Sequence, residues 1–92
     1  MPYIPIEQRR QVDTIIENMA KTPFGLGYMM NGPGELNYLI TKIIRGYLDK
    51  NKVKYATLNE IVGVLECAKA EFQRRVVGPY EDKKIEENGD AY

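Results

Sequence analysis

With 92 residues the chain has room for one domain on a single core and none for a second. Its 43% apolar and 28% charged residues are ordinary globular composition. One cysteine and no histidine exclude an internal disulfide, the usual zinc ligand sets and the Ser-His or Cys-His pairs of nucleophilic catalysis. Thirteen basic and thirteen acidic residues cancel overall, but residues 1–80 carry +3 and residues 81–92 carry −3, too weakly basic a body for broad duplex-DNA binding.

The start, MPYIPIEQRR, lacks a basic segment leading into an apolar one, so no secretory signal and a cytoplasmic location are expected. Pro5 suits a helix start, where its missing amide hydrogen costs nothing. From there Gln8, Val12, Ile15, Ile16 and Met19 keep helical spacing, with Arg10, Asp13, Glu17 and Lys21 on the other side. The spacing predicts a first amphipathic helix at about 6–21, with Tyr3 and Ile4 packing at its start.

Residues 22–33, TPFGLGYMMNGP, interrupt this pattern with three glycines and two prolines yet hold Phe24, Leu26, Tyr28, Met29 and Met30. The plainer expectation is a loop folded over an open end of the core. The sharper one is a partner contact or lid in which methionine supplies adaptable packing. No Gly-Lys-Ser/Thr follows the glycines, so they do not form a phosphate loop.

Leu36, Leu39, Ile40, Ile43, Ile44, Tyr47 and Leu48 predict a second helix at about 34–50, followed by a polar turn to Lys54. The third helical pattern is the longest. Leu58, Ile61, Val62, Leu65, Ala68, Phe72 and Val76 recur at spacings of three and four, Thr57 with Glu60 reads as a capping box, and Gly78-Pro79 reads as the stop. Beyond it a short charged segment around 81–87 is expected to end at Asn88-Gly89. Gly46 and Gly63, inside the helices, point to close helix approach within the chain or between copies. No run of about 18 apolar residues exists, so no membrane span is expected. Together these elements predict an all-α domain at 1–80: a hairpin of the second and third helices, a packed N-terminal helix, and an acidic tail at 81–92.

Three groups of side chains stand out as candidates. On the second helix Tyr38, Lys42, Arg45 and Asp49 fall opposite the apolar face, where an aromatic and two cations suit a nucleotide's base and phosphate; the plainer reading is a solvated face. Lys69 falls inside the third helix's apolar stripe and must snorkel, pair, or meet an anionic partner. Arg74, Arg75 and Tyr80 are candidates for an anion site, although two cations near a helix C-terminus also offset the helix dipole. Glu71, four residues before Arg75, is placed to pair with it and leave Arg74 free. Glu60, Glu66 and Glu71 scatter around their helix, and Glu81-Asp82 and Glu86-Glu87 read as a solvated run, so no acid–base or metal constellation is expected. Cys67 is expected to be a buried packing thiol.

Glu35-Leu36-Asn37-Tyr38, and more densely the third helix and tail, carry a family pattern: LNE at 58–60, GVLECAK at 63–69, EF at 71–72, RRVV at 74–77, PYED at 79–82 and ENGD at 87–90. In these motifs the chain resembles a family of short uncharacterised proteins of phages and bacteria, from which it departs in a longer 22–33 segment. The resemblance implies no particular activity. By analogy of size and class, small non-catalytic helical phage proteins often bind a host protein or form symmetric oligomers that sequester nucleotide immune signals.

The expectation is a non-enzymatic homo-oligomer, without cofactor or metal, holding an anionic nucleotide-like ligand at subunit interfaces through Arg74, Arg75, Lys69, Lys42 and Arg45, with Tyr38 or Tyr80 stacking. The alternative is an inhibitor or adaptor that engages a host protein through Phe24, Leu26, Tyr28, Met29 and Met30.

Overall fold

The computed structural model describes residues 3–20 and 31–92, and all regular structure among them is helical. The all-α class is therefore as the periodicity predicts. Helix α1 spans Ile6–Ala20. The carbonyl of Pro5 accepts the amides of Gln8 and Arg9 at 3.0 and 3.1 Å, which ties the first orphan donors of α1 to the residue before it.

Helix α2 spans Pro33–Asn51. Gly32 is extended (φ −156°, ψ 172°), its carbonyl accepts the Leu36 amide at 3.1 Å, and Pro33 begins the helix with Glu35 in the first turn. Most of the 22–33 segment, including Phe24, Leu26, Tyr28, Met29 and Met30, lies outside the described residues. At its other end α2 stops at Lys52, whose amide donates to the Leu48 carbonyl at 2.8 Å.

Helix α3, Tyr55–Phe72, begins two residues before Thr57. This corrects the capping box. A capping threonine must stand outside the helix in extended backbone, whereas Thr57 is already in the first turn. Its hydroxyl instead reaches back over the short connection to donate to the Asn51 carbonyl at 3.4 Å. At 1% exposure Thr57 is the one fully buried side chain among the described residues.

Gly78-Pro79 does not end the helix. A π-helical turn at Gln73–Val77 follows α3, and helix α4 spans Gly78–Asn88, so the backbone is helical from Tyr55 to Asn88. Phe72, Val77 and Gly78 all keep right-handed helical dihedrals. Two features let proline pass. Its ring would strike the carbonyl four residues back in a straight α-helix, and a π turn opens the winding just before it. The residue before a proline is normally pushed out of the helical region by a clash with its own Cβ, and Gly78 has none. The Gly78 amide bonds the Gln73 carbonyl, five residues back, as the wider turn requires.

Helix α4 takes in residues 81–88 of the expected tail. It stops where Asn88-Gly89 predicts: Gly89 adopts φ 88°, and its amide donates to the Ile85 carbonyl at 2.8 Å. The chain divides into two compact units, Tyr3–Leu58 and Asn59–Tyr92, each described by itself.

Candidate functional site

The first candidate group lies on α2, within the Tyr3–Leu58 unit. Tyr38, Lys42, Arg45 and Asp49 follow one another at spacings of three and four, which on a helix makes a single exposed row. The Lys42 ammonium stands 5.9 Å from the centre of the Tyr38 ring, at the outer range of a cation–π contact. Arg45 Nε meets Asp49 Oδ1 at 3.1 Å, with both side chains more than half exposed. The row is thus gathered as the spacing predicts, but its charges already have partners on their own helix. At such exposure the pair contributes no more than about 0.5 kcal/mol, so a ligand could recruit Arg45 at little cost.

The second group lies in the Asn59–Tyr92 unit. Arg74, not Arg75, pairs with Glu71: its Nη2 donates to both carboxylate oxygens at 3.2 and 3.1 Å, and the Glu71 side chain is 23% exposed. Positions three and four along a helix are both within reach of a carboxylate, and here the guanidinium three residues on takes it. Arg75 makes no ion pair among the described residues. Lys69 is exposed and likewise unpaired. The Tyr80 ring carries the Lys84 ammonium at 5.6 Å, and Lys84 also meets Glu87 at 3.2 Å.

These side chains do not converge. Arg74 and Arg75 are adjacent in the π turn and so leave the axis in different directions, and Lys69 lies on the stripe, well away from both. Within one copy, Lys69, Arg74, Arg75 and Tyr80 form no single anion pocket.

The apolar stripe is continuous and open. Leu58, Leu65 and Phe72 recur every seven residues, as do Ile61 and Ala68; after the π turn the same line is taken up by Val76, Val77 and Tyr80. The extra residue of that turn is what keeps them in line, since Phe72 to Tyr80 and Ala68 to Val76 are separations of eight. Leu65 is 42% exposed, Phe72 58% and Val76 52%. Periodicity revealed the stripe up to Val76, and no sequence signal for the π turn accompanied it.

Cys67 is half-buried, short of the buried thiol expected. The ideal Cβ positions of Gly46 and Gly63 meet nothing within 4 Å, so neither glycine marks a close approach among the described residues. Among those residues there is also no cluster of potential metal ligands and no helix long and apolar enough to cross a membrane.

A family model described as Domain of unknown function (DUF6899) matches residues 1–91. No curated protein and no solved structure matches the chain.

Proposed function

We propose that this chain, which belongs to the family of unknown function DUF6899, is a non-enzymatic binding protein that works as a homo-oligomer and holds an anionic, nucleotide-like ligand where subunits meet. One observation carries the reading: the stripe of α3 lies open to solvent and contains an unpaired ammonium, Lys69. Exposed leucine and phenylalanine in a continuous row mark an interaction surface, because each buried side chain of this size is worth roughly 1.5–3 kcal/mol. An ammonium inside such a surface would be costly to bury unless an anion came with it. Arg75 is a second unpaired cation for that anion, presented from another side of the helix. Arg74 contributes less because Glu71 already neutralises it. The row of Tyr38, Lys42 and Arg45 supplies an aromatic face and two further cations.

The same proposal sets the protein in the cytoplasm of a bacterium, encoded by the host or by a phage, with an immune signal as the ligand. Native mass spectrometry of gently purified protein, followed by a thermal-shift screen against linear and cyclic nucleotides, tests it. Oligomers carrying nucleotide mass, or stabilised by one nucleotide, are the expected result. Lys69→Ala is then expected to weaken binding roughly tenfold or more, as loss of a charge-assisted contact does, while Arg74→Ala changes it little. A bare species with no thermal response to any nucleotide overturns the ligand assignment and points to a protein partner engaged through the 22–33 segment.

A further inference from the structure

We infer that the occupant of the α3 stripe is the same stripe of a second copy, laid antiparallel. In this register Leu65 meets Phe72 of the second copy, Ile61 meets its Val76, and Leu58 meets its Tyr80. The inference rests on the homo-oligomer reading above and adds the surface, the direction and the register.

Length is the first argument. The helical backbone from Tyr55 to Asn88 holds 34 residues, about 50 Å at 1.5 Å per residue. Its stripe runs from Leu58 to Tyr80, some 33 Å by the same rise. Helices α1 and α2 have 15 and 19 residues, about 22 and 28 Å, so neither alone spans the stripe. A second copy of the stripe matches it in length by identity. The seven-residue spacing of Leu58, Leu65 and Phe72 is also the period at which paired helices interlock side chains.

Charge sets the direction. Lys52 and Lys54 stand just before α3, whereas α4 at the other end holds Glu81, Asp82, Glu86 and Glu87 against Lys83 and Lys84 and keeps a net negative charge. A parallel pair would bring the two acidic ends together and the two basic ends together. An antiparallel pair brings each acidic end to the other copy's lysines, and the stripe's near-symmetry about residues 68 and 69 permits it. In this register Lys69 of each copy stands opposite Ala68 of the other, so the two ammoniums flank the two-fold axis one residue apart. Like charges that meet only in the assembly explain an unpaired lysine in the stripe and mark where an anion would bind.

Disulfide trapping in a Cys67→Ser background tests orientation. The double variant Leu65→Cys/Phe72→Cys is expected to cross-link into covalent dimers on mild oxidation, while neither single variant does. Within one copy the two positions lie about 10 Å apart along the helix, so they cannot bridge internally. Self-cross-linking of either single variant would mean parallel pairing and would overturn the inference.

A charge swap away from the apolar contacts guards against misfolding of those variants. Lys69→Glu mixed with wild-type chain is expected to form heterodimers in at least severalfold excess over random mixing, because the two copies of position 69 flank the two-fold axis. Random mixing overturns the register. Native mass spectrometry separates the two levels: a monomer at micromolar concentration overturns the homo-oligomer reading as well. A dimer showing neither cross-link nor charge preference overturns only the antiparallel α3 pairing.

Discussion

Lys52 turns the chain from α2 into α3 with φ 73° and ψ 156°, a conformation that glycine adopts freely and a side chain does not. The backbone strain is of order 1 kcal/mol. Lys52→Gly is therefore expected to raise the melting midpoint by several degrees at fixed protein concentration, in the direction opposite to most glycine substitutions. Thr57 sits across the same turn. Thr57→Val keeps shape and burial but removes the donor to Asn51, and a loss of about 0.5–1.5 kcal/mol is expected from denaturant melts. Lys52 falls where composition indicates only a polar turn, and Thr57 where the pattern indicates a helix cap. The dihedral that strains one and the burial that enlists the other depend on where α3 begins, and the capping-box pattern places that boundary three residues late. The Glu71–Arg74 pair teaches a similar lesson: on a helix, neighbours three and four apart compete for one carboxylate, and spacing alone does not choose between them.

At the scale of the helix, the decisive stretch is Gln73–Pro79. Glycine followed by proline is ordinarily a stop, yet here glycine's missing Cβ and the widened π turn together carry the helix through. A Cβ added at Gly78 would lie 3.3 Å from the Gln73 carbonyl oxygen, which is held by the hydrogen bond from Gly78's own amide. Gly78→Ala would gain about 1 kcal/mol in an ordinary helix interior. Here it is expected to lower helicity by circular dichroism and to speed amide exchange in α4, because alanine restores the clash before proline. Pro79→Ala should act the other way on the local helix, returning an amide and removing the reason for the π turn. If the turn then closes to α geometry, Val77 and Tyr80 rotate away from the line of Phe72. More helix with weaker self-association is the expected combination, read by circular dichroism and sedimentation.

For the whole molecule, the proposed homo-oligomer would bury leucine, isoleucine and valine that stand exposed along three helices, and so couple assembly to stability. The melting midpoint is expected to rise with protein concentration, as it does whenever a partner binds only the folded state; a midpoint constant over a hundredfold range would rule this out. Added salt is expected to weaken association modestly, since at 0.1 M the screening length is about 10 Å and the acidic and basic ends attract over comparable distances. The sequence by itself determined the all-α class, the extents of α1 and α2 to within a residue, the stop at Gly89 and the apolar stripe of α3. Each of these follows from local rules: spacing at 3.6 residues per turn, a proline at a helix start, a glycine at positive φ. Only the three-dimensional structure decided that Gly78-Pro79 continues a helix, that Arg74 takes Glu71, and that the cations around Lys69 spread apart rather than converge. Those outcomes turn on how one widened turn rotates everything beyond it, and residue spacing does not record the winding of the turn between.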